Sequence, residues 1–289
     1  MVTINKIALY FEEKEDKKVR CNLCPHYCSI TPDNLGVCRT RKNIDGQLYT
    51  LNYGEISSMA LDPIEKKPLY NFYRGAKIFS IGTFGCNFKC SFCQNWSIAQ
   101  DNPTTFSVEP DDIISEAIEL KQQGNIGIAY TYNEPSIWYE FVYDCCKRSK
   151  EKGLKNILVT NGFINQEPLT NILPFVDAMN IDIKAFTTDF YKRICKGSLN
   201  DVKRTVEIAT RSCHVELTTL IIPGLNDSVS EIRELSTWIS SISDEIPLHI
   251  SRYFPNYKMD DRPPTPIETL NRAREEASKR LKHVYLGNV

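Results

Sequence analysis

From Lys77 onward, short runs rich in β-branched and apolar residues alternate with longer amphipathic stretches. This alternation restricts the fold most, because strands joined by helices build a parallel sheet of βαβ units. Strands are expected at Ile78–Thr83, Ile126–Thr131, Asn156–Thr160, Ala178–Ile183, Val215–Ile222 and Leu248–Tyr253, with a seventh at Val284–Leu286. Six or seven strands fit an α/β fold of the partial, TIM-like barrel kind. Helix boundaries agree: Pro110 suits a first helical position with Gly124 as the stop, and Pro135 opens a helix ending near Gly153. Ser228 with Glu231, and Thr265 with Glu268, read as capping boxes. Residues 77–289 are therefore expected to form the barrel. Residues 1–76 read as a separate cysteine-rich module ending in an extended linker, Tyr53–Leu69, which lacks helix or strand periodicity.

Immediately after the first expected strand stands Cys86-x3-Cys90-x2-Cys93. Three thiolates in one short loop hold a cubane iron–sulfur cluster by three of its four irons and leave the fourth open for chemistry. An open iron chelates the amino and carboxylate groups of S-adenosylmethionine, and the reduced cluster then splits it into methionine and a 5'-deoxyadenosyl radical. The spacing, with Phe92 before the last cysteine, resembles the signature of radical S-adenosylmethionine (radical SAM) enzymes. The competing reading is three of four zinc ligands. It lacks a nearby fourth, since the histidines are His26, His214, His249 and His283, and zinc sites favour paired Cys-x2-Cys knuckles.

In parallel α/β barrels the loops leaving the C-terminal ends of the strands build the active site. The cluster loop leaves the first strand, and Asn133-Glu134-Pro135 leaves the second. Asn161-Gly162 follows the third, Asp182 and Lys184 end the fourth, Pro223–Asp227 follows the fifth and Arg252–Pro255 the sixth. Glu134 offers a carboxylate or a backbone oxygen to the ammonium of S-adenosylmethionine, or else serves the helix that follows. Asp182 and Lys184, two apart on a strand, project to one side and into the barrel. A charge pair there favours a ligand contact over a structural salt bridge. Asn161 is a ribose or substrate contact, or simply half of an Asn-Gly turn. His249 lines the pocket or is a satisfied core histidine.

With 35 Lys and Arg against 36 Asp and Glu, no electrostatic footprint for nucleic acid or anionic lipid exists. The beginning of the sequence shows no signal-peptide core and no apolar run reaches membrane length. The odd total of 11 cysteines, seven of them in two ligand-like groups, fits a reducing cytoplasm better than a disulfide framework. Cys145, Cys146, Cys195 and Cys213 read as buried or neutral thiols rather than ligands.

The second group is Cys21, Cys24, Cys28 and Cys38. Four soft ligands saturate a metal. Either a closed all-thiolate zinc site or a second, fully ligated 4Fe-4S cluster feeding electrons to the first satisfies the pattern.

Several segments together resemble the radical enzyme of the AmmeMemoRadiSam system, itself similar to pyruvate formate-lyase activating enzymes. They are Asn22–Cys28, Gly36–Cys38, Asp62–Leu69, Ser80–Cys86 and Cys93–Trp96. The resemblance covers nearly the whole chain. It implies a partial (β/α)6 barrel of the radical SAM type, a 4Fe-4S cluster on Cys86, Cys90 and Cys93, and S-adenosylmethionine across the strand ends. It further implies a low-potential reductant such as ferredoxin or flavodoxin, and the Amme-family and Memo-family proteins as partners. Asn133-Glu134-Pro135 stands where activating enzymes carry Gly-Gly-Glu-Pro, with Tyr132 and Asn133 replacing the glycines, and Asp182-x-Lys184 matches their Asp-x-Lys motif. Asn71 replaces a linker histidine. The cysteine pair that members often carry after a Gly-Asn-Val segment has no counterpart after Gly287-Asn288-Val289. The expected activity is hydrogen abstraction from a peptide, protein or small molecule. The alternatives are activation of a glycyl-radical enzyme, or a non-catalytic zinc-binding module.

Overall fold

The computed structural model describes residues 6–289. Its central sheet has eight strands: β1 (Ser58–Pro63), β2 (Lys77–Gly82), β3 (Asn125–Tyr130), β4 (Lys155–Thr160), β5 (Ala178–Asp182), β6 (His214–Ile221), β7 (Leu248–Arg252) and β8 (Val284–Gly287). Strands β2 to β8 pair in chain order and all parallel, so each is reached by a crossover connection. Their bounds fall within one residue of those expected from the sequence. The order runs from β1 to β8 without closing, which makes the barrel partial.

Helices α1 (Pro110–Glu119), α2 (Tyr139–Glu151), α3 (Gln166–Ile172), α4 (Leu199–Ala209), α5 (Val229–Ile242) and α6 (Ile267–Ser278) fill the crossovers. Pro110 holds the first position of α1, and the chain after it stops at Gly124 with φ +90°. Pro135 opens a short 3-10 turn that runs into α2. Ser228 Oγ accepts the Glu231 N–H at 3.2 Å, but the Glu231 carboxylate turns to the Phe186 N–H instead of returning the bond. The second expected capping box does not form. Thr265 is wholly buried, donates to the Ile221 carbonyl at 2.6 Å and accepts from Tyr253 N–H at 3.1 Å. It ties the ends of β6 and β7 together, while Pro266 precedes α6.

The stretch expected to be a linker is structural. Its Ser58–Pro63 is β1, antiparallel to β2 with Ser58 opposite Gly82 and Pro63 opposite Lys77. Beyond it, fully buried Ile64 and Leu69 pack with Ile78, Ala129, Ile157 and Ala178. Ile78, Ile157 and Ala178 lie in the N-terminal halves of β2, β4 and β5, so the linker plugs the bottom of the barrel. Pro68 O accepts from Asn180 Nδ2 at 2.8 Å, fixing the plug to β5. Periodicity could not reveal this, because the segment's partners lie far away in sequence.

The residues before it form two small antiparallel sheets, Phe11–Glu13 with Val19–Cys21 and Ser29–Ile30, and Lys6–Ile7 with Gln47–Thr50 and Arg41–Ile44. Arg41, 1% exposed, anchors them to the barrel by donating to Glu140 of α2 at 2.6 Å. No helix among the described residues is long and apolar enough to cross a membrane.

Candidate functional site at the C-terminal mouth of the sheet

The strand ends surround a cleft of about 730 Å³ lined by Cys86, Cys90, Cys93, Glu134, Asn161, Asp182, Lys184 and His249. The volume suits a small-molecule cofactor. A hollow of about 690 Å³ at the opposite ends of β6 and β7 is lined by Glu207, Arg211, Cys213, His214 and Glu245 and holds none of the cluster-loop cysteines.

The cluster loop is held on several sides. Asn133 Nδ2 donates to Gly85 O at 2.9 Å and its Oδ1 accepts from Thr83 N–H at 3.1 Å, while Asn95 Nδ2 donates to Tyr132 O at 2.6 Å. The Asn133 side chain and the Tyr132 carbonyl, at the positions of the relatives' double glycine, thus knit the end of β3 to the cysteine loop. Tyr132 takes φ +71° and donates to Asp62 at 2.8 Å. Behind the loop, Phe88 packs against Gly197, where a Cβ would lie 2.2 Å from the ring. The fully buried Cys195 ends a π-helical turn, Tyr191–Cys195, and its free thiol neighbours that of Cys90, a contact that pushes the Cys90 thiol up together with burial. Cys195 is the buried thiol expected, but its place against Cys90 is a long-range fact that spacing does not encode.

Glu134 is buried and its carboxylate is engaged: it accepts from Ser136 N–H at 2.9 Å, Thr160 Oγ1 at 2.7 Å and Asn161 N–H at 2.8 Å. The helix-start reading of this acid therefore describes its side chain, which also locks β4 in place. Burial raises its pKa against those three bonds.

Asn161 donates to Asn87 Oδ1 at 2.8 Å and lies 3.7 Å from Cys86 Sγ. It sits beside the cluster loop rather than in a free turn. Asp182 and Lys184 point into the cleft and pair at 2.7 Å. Burial works against the Lys184 charge, but Asp182 and Cys90 outweigh it and hold its pKa above the ordinary range. The salt bridge therefore exists and lines the cleft as well.

His249, 3% exposed, donates Nε2 to Glu216 at 2.6 Å and is flanked by Tyr70 and Tyr285. It both lines the cleft and is satisfied in the core. Glu216, absent from the residues singled out by sequence, also accepts from His214 at 3.0 Å and from the N–H groups of Tyr70 and Asn71 at 3.0 and 2.7 Å. Burial raises its pKa, but these four donors bring it down to about 2. An acid inside the β-rich run Val215–Ile222 was the available signal, since an unpaired charge there is prohibitive.

The cysteines fit a cubane held by three ligands. All three thiols line the cleft, and Thr83 Oγ1 and Ser91 Oγ of the same loop region are buried without a partner among the described residues.

Residues 80–238 match the radical SAM superfamily. The chain is 45% identical over 288 residues to an uncharacterized protein of Methanocaldococcus jannaschii, covering 98% of this chain and 85% of that protein. It is 27% identical to the pyruvate formate-lyase-activating enzyme of Clostridium pasteurianum over 69% of this chain and 88% of the relative. Among solved structures, Streptococcus suis SuiB bound to S-adenosylmethionine superposes with a TM-score of 0.58 at 12% identity, over 73% of this chain and 51% of that one. A domain of pyruvate-formate lyase-activating enzyme from Bacteroides vulgatus gives 0.50 at 16% identity, over 56% and 99%.

Proposed function

The chain belongs to the radical SAM superfamily, an enzyme family that uses a 4Fe-4S cluster and S-adenosylmethionine, and from that premise we propose that Cys86, Cys90 and Cys93 hold the cluster. The supporting observation is their convergence with Asp182, Lys184, Asn161 and His249 on one cleft at the strand ends. When bound, the cluster supplies the electron that cleaves S-adenosylmethionine to methionine and a 5'-deoxyadenosyl radical. The same cleft would also admit the substrate that gives up hydrogen to that radical.

The residues divide the remaining work. Lys184, a half-buried cation, attracts the cofactor's carboxylate, and Asp182 keeps it charged and offers an acceptor to ammonium or ribose. Glu134 organises the backbone around the ammonium through Asn161 and Ser136 rather than by its own free oxygens. Asn133 fixes the cysteine loop. His249, oriented by Glu216, borders the far side of the cleft.

The Amme-family and Memo-family proteins are proposed partners of this chain, on the strength of the sequence motifs, with a ferredoxin or flavodoxin as reductant. A second reading, activation of a glycyl-radical enzyme, draws on the likeness to activating enzymes. It predicts a glycyl-radical electron-spin signal on a target protein, which the first reading does not. The cofactor assignment itself is tested by electron paramagnetic resonance of the reduced, reconstituted protein. S-adenosylmethionine should alter the cluster signal in wild type and do so only at higher concentration in Asp182→Asn. An unaltered signal at saturating cofactor overturns it.

A further inference from the structure

The three cysteines of the cluster loop differ in what meets their sulfurs. Cys86 Sγ accepts from Phe88 N–H at 3.4 Å, and Cys93 accepts from Asn95 N–H. At Cys90 the hydrogen-bonding contact is another thiol, that of Cys195. Cys195 is wholly buried and Cys90 is 7% exposed, so solvent does not compete for the contact.

The fold builds this contact in. After Lys184 the chain returns over the back of the cluster loop and meets it on both sides of Cys90. The Phe190 and Phe92 rings lie 5.9 Å apart, as do those of Tyr191 and Phe88. Lys89, the residue before Cys90, donates its N–H to Cys195 O at 2.9 Å. The π-helical turn Tyr191–Cys195 is closed by Lys196 at φ +59° and by the Gly197 N–H on Tyr191 O at 3.0 Å. Such turns occur mostly as single-turn irregularities, frequently at functional sites. At its start, Tyr191 Oη accepts the Lys184 N–H at 3.0 Å, and at its end stands the Cys195 thiol. One turn thus ties the strand end that carries Lys184 to the middle cysteine of the cluster loop.

Donor and acceptor follow from the chemistry. A cysteine that ligates iron is a thiolate and has no proton to give, so the hydrogen between the two sulfurs belongs to Cys195. A hydrogen bond to a ligand sulfur draws off electron density and favours the reduced cluster, which makes it one of the determinants of iron–sulfur potentials. We propose that Cys195 is a positioning residue that sets the potential of the cluster on Cys86, Cys90 and Cys93, donating its S–H to Cys90 Sγ and so making the cluster easier to reduce. This rests on the radical SAM reading of those three cysteines.

The test uses the full chain, reconstituted anaerobically with iron and sulfide and titrated potentiometrically. The electron paramagnetic resonance signal to follow is the one that S-adenosylmethionine alters, which assigns it to the cluster loop whatever the N-terminal cysteines hold. Cys195→Ala removes the donor, and its reduction equilibrium is expected to be about tenfold less favourable, a midpoint about 59 mV more negative for one electron. Cys195→Ser supplies a stronger donor and is expected to move the midpoint to the positive side of wild type. A change below about twofold in Cys195→Ala, or about 18 mV, overturns the proposal. So does a Cys195→Ser midpoint that moves negative together with Cys195→Ala, the behaviour of a residue that only fills space. If Cys195→Ala does not hold the cluster, the sign of the Cys195→Ser shift decides. A protein with no signal that responds to S-adenosylmethionine refutes the radical SAM reading and this proposal with it, whereas a responsive signal with an unmoved potential refutes the proposal alone.

Discussion

Glu216 on β6 and His249 on β7 meet at 2.6 Å between neighbouring strands, with the carboxylate wholly buried. Through the Tyr70 and Asn71 N–H groups the same carboxylate grips the end of the plug. One residue thus joins the wall of the cleft to the floor of the barrel. Glu216→Gln leaves donors facing an amide, and a loss on the order of 3 kcal/mol is expected in denaturant unfolding. Loss below about 0.5 kcal/mol would show that the network contributes little.

The same carboxylate gives a pH signature. Its folded pKa is near 2, against an ordinary 4.5. A carboxylate depressed on folding contributes stability that is fully present above its unfolded pKa and is lost as pH falls through the folded one. Wild type is therefore expected to lose stability between about pH 4.5 and pH 2, on the order of 3 kcal/mol, and Glu216→Gln should lose correspondingly less over that window. Parallel stability curves for the two proteins contradict this.

Leu69 is fully buried against Ile78, Ala129, Ile157 and Ala178 in the plug. Leu69→Ala should cost about 2–5 kcal/mol, the range for a buried leucine. A surface linker would lose almost nothing, so thermal unfolding separates the two.

Asp182→Asn preserves shape while removing the partner that holds Lys184 charged. Iron content should stay at the wild-type level while the Kd for S-adenosylmethionine rises about tenfold, the equivalent of roughly 1.4 kcal/mol. Calorimetry on the oxidised protein reads this without turnover, and an unchanged Kd contradicts the assignment.

Much of this arrangement was legible in the sequence because it is local. Strands β2 to β8 follow from runs bounded by turn residues, and the topology rule then carries Cys86, Asn161, Asp182 and Lys184 to the same end of the sheet. What escaped is non-local. Thr265 had the spacing of a cap, but burial between Ile221 and Tyr253 gave its hydroxyl better partners. Ser58–Pro63 lacks alternation, yet β2 offers it a free edge. Asn133 and Glu134 were expected on the loop leaving the second strand, but apart from Ser136 the groups their side chains hold lie 26 to 50 residues away in sequence.

The central claim is that the cleft initiates a radical reaction. The direct measurement is 5'-deoxyadenosine formed by the anaerobically reconstituted protein given S-adenosylmethionine and a strong reductant, beside a Cys90→Ala control. Formation by wild type alone is expected. A wild-type protein whose reduced, cofactor-responsive cluster yields no more 5'-deoxyadenosine than Cys90→Ala would contradict the account.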